Sequence, residues 1–177
     1  MSRHLLALSA GTTALVAATM VVACAHADPG NAAPAAPTAP PQPGAACPAD
    51  QGGALTALPS QPGDPSNRKN LLECTGETWQ AFTGEYPESD MWLSSGPELT
   101  LRGQGLRNPE VMAGQWTGTP QQPDGVCSAE FVDVTGGPDK TSEPQTRTGD
   151  PGQPLSFEAT TRLYTVTLSG FCLWQRS

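Results

Sequence analysis

The run of residues 164–174, YTVTLSGFCLW, carries the clearest structural pattern in the chain. Its apolar residues fall on alternate positions from Tyr164 to Trp174, with threonine and serine between them. This alternation predicts a long β-strand with one buried face. Gly170, in the middle, predicts a bulge or bend. Phe171 and Leu173 make the second face apolar as well, so we expect the strand to become central near its end.

Other segments show the same alternation over shorter lengths. We predict strands in residues 91–93, 98–102, 111–119, 126–134 and 155–159. Gly and Pro separate these short segments, which is typical of a β-sandwich or a small barrel. The fold class is therefore mainly β: a small, disulfide-bonded antiparallel β-sandwich or barrel-like domain.

One segment has helical spacing instead. Trp79, Phe82 and Tyr86 are three and four residues apart, before a Pro, which predicts one or two helical turns packed on the sheet. A later stretch, residues 135–154, contains no large apolar side chain, and we expect it to form a projecting mobile loop.

The composition divides the chain. Residues 28–66 contain 10 Pro, 10 Ala and 5 Gly, and every aromatic residue lies from Trp79 onward. A segment so poor in large apolar side chains cannot offset the entropy lost on ordering. We therefore predict a disordered linker in residues 28–67 and a β-rich globular domain in residues 68–177.

Residues 1–27 have the pattern of a secretory signal peptide. Arg3 precedes an apolar run over residues 5–22, and small residues follow. Two processing sites fit this pattern. Cleavage after Ala27 would release the protein, whereas cleavage before Cys24, at a sequence that resembles a bacterial lipobox, would attach a lipid to that cysteine. The leader is similar to those of exported actinobacterial proteins, including mycobacterial ones, and this resemblance implies a location in the cell envelope.

Four cysteines remain after either cleavage: Cys47, Cys74, Cys127 and Cys172. An even number in an exported chain predicts two disulfides. Three pairings are conceivable, and we favour Cys127–Cys172, which would join two strands of one core. Cys47–Cys74 would then pin the end of the linker to the domain.

The residue types exclude several chemistries. The only histidines are His4 and His26, both within the signal segment, so catalysis through a Ser-His-Asp triad or a zinc-hydrolase site is excluded. The net charge of −8 argues against nucleic-acid binding. No metal-binding spacing of cysteines is present, so we expect neither a metal nor a cofactor.

Two groups of residues could still carry a function. Glu85, Glu88 and Asp90 form an acidic cluster that could serve a small hydrolase, although a solvated turn explains it more simply. Four aromatic residues could line a ligand groove, although core packing explains them better: Trp79, Tyr86, Trp92 and Trp116.

We therefore expect an exported binding or interaction module of the cell envelope or extracellular space, with a glycan or a protein as partner. Contact with a membrane would come only through a lipid on Cys24. The alternatives are a small carboxylate-based hydrolase of wall polysaccharide and a purely structural envelope protein. A pair of carboxylates facing across a groove would favour the enzyme, whereas an apolar pocket without them would favour the binding module.

Overall fold

The computed structural model describes residues 39–60, 69–96, 98–137 and 140–177, all within the compact unit Pro34–Ser177. These residues form β-strands and one short 3-10 helix, Ala49–Gln51. The strands are β1 (Leu55–Ala57), β2 (Leu71–Thr75), β3 (Thr78–Ala81), β4 (Met91–Ser94), β5 (Leu99–Arg102), β6 (Gly114–Pro120), β7 (Ser128–Gly137), β8 (Lys140–Thr141), β9 (Gln145–Thr148), β10 (Leu155–Ala159), β11 (Leu163–Ser169) and β12 (Cys172–Arg176).

The strands form two sheets, and the prediction of a mainly β, sandwich-type fold is confirmed. Sheet A has seven strands in the order β10-β6-β12-β4-β1-β2-β3. Sheet B has the order β5-β11-β7-β8, with β9 also paired to β7. The sheets do not close into a barrel. Most neighbours are antiparallel, but β1 and β4 run parallel, paired at Leu55 and Trp92.

The predicted long strand over residues 164–174 is present, and it bends at Gly170. Its first part, β11, lies in sheet B, and its second part, β12, lies in sheet A. Gly170 adopts a φ of +85°, and a Cβ there would collide with the carbonyl oxygen of Val126. The residue that the sequence marks as a bend is therefore the point where the chain crosses between the two layers.

The space between the sheets is filled by an inner core. Its largest members are Trp92, Trp116, Phe157 and Trp174, supported by aliphatic residues of β5 and β11. The Phe157 ring lies 5.9 Å from the Trp174 ring, edge to face, and 6.3 Å from the Phe131 ring of sheet B. These aromatic contacts connect the two layers.

A second, outer core covers the opposite face of sheet A. Leu72, Trp79, Leu93 and Leu173 point to this face and pack against Cys47 and Ala54 of the N-terminal segment. The predicted domain boundary at residue 68 is therefore wrong. Residues 39–54 cover sheet A, and β1 lies inside that sheet, because the centre of the sheet is apolar on both faces. The remainder of the predicted linker, residues 28–38 and 61–67, lies outside the described residues.

Both disulfides are present, in the pairing that the sequence analysis favours. Cys127 is bonded to Cys172 and joins the start of β7 in sheet B to the start of β12 in sheet A. Cys47 is bonded to Cys74 and ties the N-terminal segment to β2. In the chain-entropy model, each disulfide raises the free energy of unfolding by roughly 3–4 kcal/mol. Two disulfides indicate that the protein folds in an oxidising compartment.

The helical spacing of Trp79, Phe82 and Tyr86 is misleading. Trp79 belongs to β3 and faces the outer core, Phe82 packs against the inner core, and Tyr86 is exposed. Residues 135–154 also differ from the predicted loop. They contain β8 and β9, both paired with β7, so polar threonines extend sheet B at its edge.

The bend at Gly170 generates the first prediction. Gly170→Ala should lower the free energy of unfolding by at least about 2 kcal/mol, because the left-handed backbone and the clash with Val126 both penalise a side chain. Gly136→Ala is the matched control, since a Cβ there meets nothing within 4 Å. Urea unfolding followed by tryptophan fluorescence measures both. Equal stabilities of the two variants would contradict this role of Gly170.

Candidate ligand-binding cleft

Three of the four aromatic candidates are core residues and cannot contact a ligand. Trp79, Trp92 and Trp116 are each at most 1% exposed. The indole nitrogen of Trp92 donates to the Glu110 carbonyl at 3.1 Å, and that of Trp116 donates to the Met112 carbonyl at 2.9 Å. These side chains lie at buried positions of alternating strands. They therefore pack in the core, as the sequence analysis favoured, and the alternative of a groove lined by them is wrong.

Tyr86, the fourth candidate, is 53% exposed and lies in the connection between β3 and β4. The acidic residues Glu85 and Glu88 are exposed in the same connection. Asp90 forms an ion pair with Arg176, with 2.6 Å between Oδ1 and Nε. This hydrogen bond raises the pKa of the Arg176 guanidinium above its ordinary value. The acidic cluster therefore forms a solvated surface with one ion pair that fastens the end of β12.

A cleft of about 610 Å³ opens at one end of sheet A. It lies where β1 and β4, which are parallel, both end and their chains separate. β1 continues into Leu58 and Pro59, while β4 continues through Gly96 toward β5 in the other sheet. Proline supplies no backbone N–H to a sheet, so strand pairing stops here and the two chains diverge. A cavity of this size is typical of ligand-binding sites.

The walls of the cleft are predominantly apolar. Residues 57–59 of the β1 end form one wall, and residues 98–100 at the start of β5 form the other. Leu93 forms part of the surface, and the N-terminal segment contributes Pro40 and Pro41. The cleft therefore depends on three separate parts of the chain.

An ion pair between a half-buried lysine and a buried glutamate fixes one side of the cleft. Lys69 lies in its wall, and its Nζ is 2.6 Å from both carboxylate oxygens of Glu110, which is only 2% exposed. The backbone N–H of Arg102 donates to the same carboxylate at 2.8 Å. Glu110 thus connects the start of β2 to the end of β5. Its oxygens are occupied by these partners, so it is a structural carboxylate.

Two polar groups in the cleft wall have no such partner. Thr56 is 1% exposed, and in the described part of the chain its hydroxyl has no hydrogen-bond partner. Glu98 is exposed, and no Lys or Arg among the described residues forms an ion pair with it. A buried hydroxyl without a partner costs about 1–3 kcal/mol.

Among the described lining residues the only carboxylate is Glu98, so no second carboxylate faces it across the cleft. Glycoside hydrolysis needs two such groups. Within the described ranges, no group of three or more His, Cys, Asp or Glu is placed to hold a metal ion.

The sequence analysis missed the cleft residues Thr56, Lys69, Glu98 and Thr100. Each is an ordinary polar residue in a short segment, and they meet only because β1 lies beside β4 and β4 leads into the other sheet. The candidate lipidation site, Cys24, lies outside the described residues.

Comparison of the chain with protein-family models, with curated proteins and with solved structures found no match. The described residues include no helix with the length and apolar character needed to cross a membrane. The cleft geometry is therefore the basis for the functional argument.

The Lys69–Glu110 pair generates the second prediction. Glu110→Gln should lower the free energy of unfolding by roughly 1–3 kcal/mol, because Lys69 and the Arg102 N–H lose a buried charged acceptor. Glu143→Gln, at an exposed position, should change it by less than about 0.5 kcal/mol. Thermal unfolding of both variants tests this. A Glu110→Gln protein as stable as the control would show that the ion pair contributes nothing.

Proposed function

We propose that this protein is a binding module that holds a largely apolar ligand in the cleft between the ends of β1, β4 and the start of β5. The observation that carries the proposal is the cleft itself: about 610 Å³ of predominantly apolar space, with the exposed carboxylate of Glu98 in its wall. Apolar walls provide binding energy, and a few polar groups fix the orientation of a ligand.

The ion pair at the wall supports the same interpretation. Lys69 is bonded to Glu110, so the cleft presents neither a free lysine nucleophile nor a carboxylate pair in the described residues. A hydrolase of wall polysaccharide would need two free carboxylates. A purely structural protein would have no need of an open apolar cleft. The geometry therefore favours binding over both alternatives.

We also infer that the protein is exported and acts in the cell envelope or outside the cell. The two disulfides support this, since they form in oxidising compartments. The apolar run over residues 5–22, after Arg3, supports a secretory signal. Processing before Cys24 would leave the protein anchored by a lipid, and processing after Ala27 would release it.

Filling the cleft generates the third prediction. Gly96 lines the cleft, and a Cβ there meets nothing within 4 Å, so Gly96→Phe adds a ring at the cleft without a steric clash at the Cβ. The uncharged dye N-phenyl-1-naphthylamine serves as an apolar probe. We expect a saturable rise in dye fluorescence with the unaltered protein and at least tenfold weaker binding with Gly96→Phe.

Gly136→Phe is the matched control, because Gly136 also has open space around it and lies outside the cleft. It should bind the dye like the unaltered protein. Near-ultraviolet circular dichroism confirms that both variants are folded. Equal dye affinities of Gly96→Phe and Gly136→Phe would contradict the proposed site.

A further inference from the structure

The edge of β5 adds a second recognition element to the cleft. β5 is the outermost strand of sheet B, paired on one side with β11. The Gly103 N–H donates to the Tyr164 carbonyl of β11 at 2.9 Å, and this bond shows which residues of β5 direct their backbone groups to β11. In an antiparallel pair, alternate residues direct N–H and C=O to the same neighbour. The groups of residues 99, 101 and 103 therefore face β11, and those of Thr100 and Arg102 face outward.

Hydrogen bonds within the chain already occupy the outward backbone groups of Arg102. The Arg102 N–H donates to the Glu110 carboxylate, and the Arg102 carbonyl accepts from the backbone N–H groups of Glu110 and Val111 at 2.8 and 3.0 Å. The outward N–H and C=O groups of Thr100 lie nearer the start of β5, and Thr100 is part of the cleft wall. Edge strands are templates for pairing with another extended chain unless they are covered.

The unpaired carboxylate of Glu98 favours a basic group on the partner. Lys69 and Arg102 share Glu110, with nitrogens 2.6 and 3.5 Å from its Oε2, whereas Glu98, two residues before Thr100, has no ion pair among the described residues. The whole chain has a net charge of −8. A cationic group next to Glu98 is therefore electrostatically complementary both to the local carboxylate and to the protein as a whole.

We propose that the ligand of the cleft is an extended polypeptide segment that pairs with β5 at Thr100, places apolar side chains against residues 57–59 and directs a basic side chain to Glu98. The inference rests on the proposed function and names the ligand class for the same site. Strand addition of this kind takes its affinity from main-chain hydrogen bonds and its selectivity from alternate side chains.

The test uses two synthetic pools of capped octapeptides with apolar residues at alternate positions. The pools differ only in having Lys or Glu at one fixed position. The oxidised, immobilised protein is incubated with each pool, and bound peptides are quantified by mass spectrometry. We expect the Lys pool to be retained about two- to fivefold more than the Glu pool, and Glu98→Gln to remove this preference.

Thr100→Pro tests the main-chain pairing. Proline is tolerated at an edge position whose N–H faces outward, so the variant should fold while losing the donor for the ligand. We expect peptide binding to weaken roughly two- to tenfold, the effect of one lost hydrogen bond. Thr146→Pro is the matched control: it is also an outward-facing threonine of an edge strand, β9, but lies outside the cleft. It should bind the peptides normally.

A chemical variant of the ligand makes the test independent of protein folding. The most strongly retained peptide is N-methylated at its odd or at its even positions. One-sided pairing predicts that one pattern abolishes binding and the other is tolerated. Equal binding of both methylated peptides, or of Thr100→Pro and Thr146→Pro, would overturn the inference. Dye binding without retention of either pool would also overturn it, while leaving the apolar cleft as a site; loss of both would overturn the proposed function as well.

Discussion

The structure depends on covering both faces of the central strands of sheet A. β4 places Trp92 on the inner face and Leu93 on the outer face, and β12 does the same with Trp174 and Leu173. One packed sheet can bury only one of these faces. Sheet B covers the inner face, and residues 39–54 cover the outer face, held by the Cys47–Cys74 disulfide. The layers and both disulfides follow from this requirement.

The cleft is a consequence of the same arrangement. It opens where both covers meet the end of sheet A: Pro40 and Pro41 belong to the outer cover, and residues 98–100 belong to sheet B. Between them, β1 and β4 stop pairing and separate. The Lys69–Glu110 pair holds one side of the cleft in place, because it joins the start of β2 to the loop that follows β5. Apolar surface is left open here because no described element continues the sheet, and this makes the cleft suitable for a ligand.

Much of the fold could be predicted from the sequence, because alternation reports burial of one face. It locates β5, β10 and the strand pair around Gly170. It fails where strands are short and polar, as in β8 and β9, or where Gly and Pro dominate the composition, as around β1. The tryptophans did not locate a site, since a large aromatic residue suits a groove as well as the core packing that the sequence favoured. Proximity of Thr56, Lys69 and Thr100 depends on the order of strands, which no local pattern encodes.

Amide hydrogen exchange of residues 44–54 in the oxidised, full-length protein tests the central claim most directly. The N–H groups of Gly44, Cys47 and Gly53 donate to carbonyls of Trp79, Glu77 and Cys74 at 2.7, 2.9 and 2.9 Å. If this segment covers sheet A, these amides should exchange as slowly as those of β4 and β12, because they open only with the core. Exchange at the rate of an unfolded peptide, with β4 and β12 still protected, would show that the segment is a free arm and would contradict the account.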